Sequence, residues 1–124
     1  MQFKKAFPAN FHAYVAACEE GEVRPGRLLT YDTGSFANPR YIINFPTKRH
    51  WKDRSFIQDI EAGLVALTDE IVARDIRSIA VPPLGAGLGG LDWNEVLPHI
   101  KSALSTLFDL RVIILEPKDE PGSL

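Results

Sequence analysis

Cysteine is almost missing from this chain of 124 residues: Cys18 stands alone, so no internal disulfide can form. No Cys/His spacing suits a metal, and no apolar run approaches the roughly 20 residues that a membrane helix needs. No targeting segment is visible either, and together these absences read as a cytoplasmic protein with no membrane partner. An excess of one charge is lacking too. With 14 Lys and Arg against 16 Asp and Glu the formal charge is −2, which excludes a generic nucleic-acid coat and makes any nucleic-acid contact a local one. There is no internal repeat and no low-complexity segment. At 45% hydrophobic the chain suits one domain with a real core. Cys18 lies in an Ala-rich helical stretch and reads as a small buried hydrophobe.

What is present is an alternation of elements. Gln2 to Cys18 carries Phe3, Phe7, Phe11, Tyr14, Val15 and Cys18 at spacings of three and four, which predicts a helix interrupted at Pro8. Arg27 to Tyr31 and Tyr41 to Phe45 read as two strands joined by the turn-rich DTGSFANPR. From Ser55 onward Ile57, Ile60, Leu64, Leu67 and Ile71 predict a helix whose stripe packs on a sheet. Ser78 to Val81 reads as a buried strand, Asn94 to Phe108 as an amphipathic helix with Pro98 tolerated only near its first turn, and Arg111 to Leu115 as a last strand. Strand, helix, strand, helix, strand is an α/β pattern with a mixed or parallel sheet, in which ligands bind at the carboxyl ends of strands.

At one such end stands PPLGAGLGGLDW, residues 82 to 93. Gly85, Gly87, Gly89 and Gly90 fall within six residues, and Asp92 with Glu95 looks like an N-cap and capping box. A bare backbone followed by a helix N-terminus aims several N–H groups and a positive dipole end at one spot, which stabilises a phosphate or diphosphate. A tight strand-to-helix turn alone is the other reading of these glycines. The spacing is neither GxxxxGK[ST] nor GxGxxG, which argues against a P-loop NTPase and a dinucleotide dehydrogenase.

A second constellation is NFPTKRHWKDR, residues 44 to 54, where Lys48, Arg49, His50, Lys52 and Arg54 surround Trp51. Cations that meet phosphates and a ring that stacks on a base suit a short single-stranded nucleic acid. A solvated loop with Trp51 tucked on the core fits the same residues. Lys48 can pair with an anion or serve as an amine nucleophile on an aldehyde-like carbon, and His50 is a candidate acid or base. His12 and His99 fall on helical stretches without an identifiable partner.

The QFKKAFP, NFPTKRHW and PPLGAGLGGLDW segments, in this order and spacing, resemble the macrodomain family, and within it the macrodomains of the DNA ADP-ribosyl glycohydrolase antitoxins, DarG. The resemblance implies a three-layer α/β/α sandwich with a mixed sheet over residues 1–117, then a polar tail over 118–124. It also implies an N-terminally incomplete sandwich, since the family's two first strands and its NTVNCxGVMGKGIA-type loop would precede Met1. By the same resemblance Pro83, Leu84, Gly85, Ala86, Gly87, Leu88, Gly89, Gly90 and Leu91 bind ADP-ribose. Lys48 aligns with the lysine needed for catalysis, and Thr47, Arg49, His50, Trp51 and Lys52 receive DNA. The implied activity is removal of ADP-ribose from thymine bases in single-stranded DNA, opposing a DNA ADP-ribosyltransferase toxin, DarT, with no metal and no cofactor. A binding module that recognises ADP-ribose without cleaving it, a remnant that pairs with the toxin, and an esterase for O-acetyl-ADP-ribose are the alternatives. Related eukaryotic hydrolases that use a lysine carry an acid where this chain has Gly89.

Overall fold

A computed structural model describes residues 9, 10, 12, 13, 16, 24–37, 39–49, 54–86 and 89–117. Residues 9, 10, 12, 13 and 16 are helical, within the predicted first helix. Phe3, Phe7, Phe11, Tyr14, Val15 and Cys18 lie outside the described residues. Strands β1 (Leu29–Asp32) and β2 (Tyr41–Asn44) pair antiparallel, Leu29 opposite Asn44 and Asp32 opposite Tyr41. The turn between them is closed by Thr33 N–H donating to Arg40 O at 2.8 Å and by Asp32 accepting from Gly34 N–H at 2.8 Å, as Asp and Thr do in turns.

Helix α1 (Ile57–Ala73) follows, then strand β3 (Ser78–Val81), helix α2 (Trp93–Leu104) and strand β4 (Arg111–Ile114). β3 and β4 are parallel, Ser78 opposite Arg111 and Val81 opposite Ile114, with α2 as the crossover between them. The chain is therefore α/β, with both kinds of strand pairing. The described strands form two two-stranded sheets where a single mixed sheet was expected. α1 serves both. Its Gly63 is buried against the Phe45 ring beyond β2, while Ile60, Leu64, Leu67 and Ile71, each at most 3% exposed, belong to one core with Val81 and Leu84. From α2 the core takes Val96, Ile100 and Leu104, one face at a spacing of four.

Three sequence expectations need correction. β3 is not buried throughout: its residues alternate, with Ser78 and Ala80 exposed and Val81 buried, because only one face lies on the helices. α2 stops at Leu104, short of Phe108, whose ring is fully exposed; the Ser105 and Thr106 hydroxyls donate back to the Ser102 and Ala103 carbonyls where the helix ends. Pro98 sits in the second turn of α2, not the first. A proline there removes one helical hydrogen bond and costs about 3 kcal/mol. Burial of Val96 and Ile100 on either side of it, both 0% exposed, offsets that cost.

Candidate functional site

The glycine loop is anchored by leucines at its two ends and closed by its own backbone hydrogen bonds. Leu84 is 6% exposed within the core, and Leu91 packs against the same core from the other end of the loop. Leu91 N–H donates to Gly85 O at 3.0 Å, and Ala86 bridges Leu91 in a short parallel contact, so the loop closes on itself. Ala86 N–H donates to Pro83 O at 3.2 Å. Among the described residues the N–H groups of Gly85 and Gly90 donate to no protein acceptor. Such donors are what a bound anion requires.

The glycines have different reasons to be glycine. Gly85 has φ 72°, and a Cβ on it would lie 2.7 Å from Leu91 Cδ1 and 3.1 Å from Ile60 Cδ1. At Gly90 the reason is conformational: φ is 80°, and among the described residues a Cβ would meet nothing nearer than Arg54 Cβ at 4.0 Å. Gly89 lies outside the left-handed region, yet a Cβ on it would come within 2.6 Å of Ser55 Oγ. Gly87 and Leu88 lie outside the described residues.

The expected capping box at α2 reduces to a single cap. Asp92 accepts from Asn94 N–H at 2.9 Å, and its carboxylate already occupies the positive end of that helix. The head of α1 also touches the glycine loop. Ser55 N–H donates to Gly89 O at 2.8 Å, and the N-cap residue of α1, Phe56, supplies no side-chain cap.

The basic stretch is fastened to the same helix head. Arg49 donates from Nε and Nη2 to the Asp59 carboxylate at 2.9 and 3.2 Å, and its guanidinium lies over the Phe56 ring at 4.6 Å. Arg49 thus has at least two donors and one face engaged within the protein. Lys48 and Thr47 are half-buried. Among the described residues the Lys48 ammonium makes no hydrogen bond or ion pair. His50, Trp51 and Lys52 lie outside the described residues. Upstream, Asn44 and Asn10 exchange amide hydrogen bonds of 2.9 and 3.3 Å, and Asn44 Nδ2 also donates to Leu29 O at 3.0 Å. Asn10 is only 5% exposed, so this pair ties the N-terminal helical residues to the strand that launches Lys48.

Of the remaining histidines, His99 Nδ1 lies 3.6 Å from the Glu61 carboxylate across α1 and α2, a partner that sequence reading did not name, and His12 is exposed. No three His, Cys, Asp or Glu side chains gather as metal ligands among the described residues. Sequence reading also missed Ser55, Phe56 and Asp59. Their only signal was position, at the junction between an aperiodic stretch and a strongly periodic one.

The model of the macro domain family matches residues 1–100. A DNA ADP-ribosyl glycohydrolase of Thermus aquaticus is 51% identical over 121 residues, covering 98% of this chain and 34% of that protein. One of Mycobacterium tuberculosis is 46% identical over 117 residues, covering 94% and 33%. The chain thus spans about a third of the length of the curated relatives it matches. Among solved structures, the macrodomain of Mycobacterium tuberculosis DarG superposes with a TM-score of 0.92 at 46% identity, over 94% of this chain and 77% of that one. The macrodomain of Thermus aquaticus DarG gives 0.88 at 52% identity over the same shares. Thermosipho africanus DarTG in complex with ADP-ribose gives 0.81 at 32% identity, over 98% of this chain and 35% of that one.

Proposed function

The chain belongs to the macrodomain family, and from that premise we propose that it removes ADP-ribose from thymine bases in single-stranded DNA as the antitoxin to a DNA ADP-ribosyltransferase. The observation that carries this reading is the convergence of two loops on the head of α1: Gly89 on Ser55, and Arg49 on Phe56 and Asp59. Among the described residues one loop offers backbone N–H groups that donate to no protein acceptor, and the other offers a lysine with no partner. The names of the relatives supply the ligand and the reaction. One similar structure holds ADP-ribose, the Thermus and Mycobacterium relatives are named DNA ADP-ribosyl glycohydrolases, and a Thermosipho africanus relative is named as a transferase and glycohydrolase fusion.

In this reading residues 1–117 act as one macrodomain with 118–124 as its tail, in the cytoplasm. Pro83 to Leu91 hold the diphosphate and distal ribose, with the N–H groups of Gly85 and Gly90 as donors. Thr47, Arg49, His50, Trp51 and Lys52 receive the flanking DNA. Lys48 stands by the anomeric carbon. Hydrolysis breaks the glycosidic C–N bond, its electron pair going to the base nitrogen, which takes a proton, while a water oxygen ends on the anomeric carbon. A fixed ammonium beside the leaving base favours the negative charge that the base gains as the C–N bond breaks, and it needs no covalent step. We favour that electrostatic role because Gly89 offers no acid to resolve a lysine adduct.

The test is turnover of a thymidine-ADP-ribosylated oligonucleotide. The expected result is release of ADP-ribose by the protein and none by Lys48→Ala, with calorimetric ADP-ribose affinity retained within about threefold, a shift under 1 kcal/mol. Binding without release by the unmodified protein leaves a recognition module, and full activity of Lys48→Ala removes that residue from the site. A borohydride-trapped adduct on Lys48 would replace the electrostatic role by the nucleophilic one.

A further inference from the structure

Ser55 Oγ is a buried hydroxyl with no hydrogen-bond partner among the described residues, on a residue that is 1% exposed. Natural interiors seldom keep such a group, since an unmade buried hydrogen bond is a standing cost to the fold. Nothing about stability explains its presence at the start of α1. Its surroundings do. Ser55 N–H donates to Gly89 O at 2.8 Å, and a Cβ at Gly89 would lie 2.6 Å from Ser55 Oγ and 3.3 Å from Ser55 Cβ. Gly89 is not among the residues with positive φ, so its backbone would accept an L side chain. What excludes one is Ser55. On the other side of the same short segment, Phe56 lies beneath the Arg49 guanidinium and Asp59 grips it with two hydrogen bonds. Residues 55 to 59 therefore hold the glycine loop in one hand and the lysine-bearing loop in the other.

We propose that Ser55 is a positioning residue for the reaction described above, matched in size to Gly89, and that it sets the place of the diphosphate loop relative to Lys48. The inference rests on the ADP-ribose reading. It makes Gly89 a consequence of Ser55: the loop can descend onto the head of α1 only while position 89 has no side chain. It also separates position from stability, because removing an unpaired buried hydroxyl takes nothing from the hydrogen bonding of the fold.

The experiment compares the unmodified protein with Ser55→Ala, Gly89→Ala and the double variant, reading ADP-ribose affinity, kcat and KM on ADP-ribosylated oligonucleotide, and the thermal midpoint. Gly89→Ala is expected to weaken ADP-ribose binding by about tenfold or more and to lower the midpoint, as overpacking does. In the double variant the Oγ is gone, and affinity is expected to return to within about threefold of Ser55→Ala, the signature of two residues that interact directly. Ser55→Ala alone is expected to leave the midpoint unchanged or higher while lowering kcat more than it raises KM. A double variant no better than Gly89→Ala, or a Ser55→Ala that loses stability and keeps kcat, overturns the inference while leaving the ADP-ribose reading in place. An unmodified protein that binds no ADP-ribose overturns that reading, and this inference falls with it.

Discussion

The loop from Pro83 to Leu91 and the stretch from Phe45 to Arg49 both follow strands and both touch the head of α1, yet they are held by different means. Backbone hydrogen bonds, the buried Leu84 and the partly buried Leu91 fix the first, so its shape is set by main-chain geometry. Side chains fix the second: the Phe45 ring against Gly63, and Arg49 against Asp59 and Phe56. A backbone-built loop presents donors that no side-chain substitution other than proline deletes, which suits an invariant group such as a diphosphate. A side-chain-built loop can be retuned residue by residue, which suits a lysine and a DNA contact.

Gly85→Ala should break the first loop most severely. It combines a left-handed φ of 72° with a Cβ 2.7 Å from Leu91 Cδ1. About 2–5 kcal/mol of destabilisation is expected from the two effects together, read by denaturant titration, with ADP-ribose binding lost in parallel. Retained affinity would show that the loop's conformation does not matter to the ligand.

Gly63→Ala strikes the second loop from beneath. The new methyl would fall 2.3 Å from Phe45 Cζ, and displacing that ring moves the segment that carries Lys48. A cost of about 1–3 kcal/mol is expected. If the two loops are held independently, turnover of ADP-ribosylated oligonucleotide drops while affinity for free ADP-ribose stays, and equal losses of both would show one rigid site.

Arg49→Ala and Asp59→Ala test the clamp. Each removes a two-bond charged contact on the side of Asp59, whose side chain is 13% exposed, and about 1 kcal/mol is expected from either. Because Arg49 is oriented by Asp59, the two variants should weaken DNA-linked substrate alike. Were Asp59→Ala to tighten it instead, Arg49 would be a DNA cation restrained by its partner, and the salt dependence would steepen by about 0.7 in log–log slope for the added single-strand contact.

The smallest effect concerns Glu70, in α1 but remote in role. Its hydrogen bond from Arg74 holds its carboxyl below the ordinary carboxylate value of 4.5. A lowered folded value contributes stability that is present above the unfolded value and is lost as pH falls through the folded one. Glu70→Gln should therefore lower the unfolding free energy slightly near neutral pH, by less than about 1 kcal/mol, with the difference from the unmodified protein vanishing in acid as read by thermal melts across pH. A difference that grows in acid contradicts this.

Local patterns made much of the fold legible. The stripe of Ile60, Leu64, Leu67 and Ile71 specified α1, Asp92 marked the start of α2, and short β-branched runs gave the four described strands to within a few residues, because each signal is written in neighbours three, four or two positions apart. The glycine-rich backbone was equally readable, since absence of Cβ is a property of the residue itself. Tertiary structure decided the rest. Which helix head receives the loops, why position 89 carries no side chain, where Arg49 spends its donors, and how Asn10 meets Asn44 all depend on contacts between residues ten to thirty-four apart in sequence. Sequence spacing carries helix and strand periodicity, whereas excluded volume and charge pairing act through space, and only the folded chain brings Ser55 under Gly89.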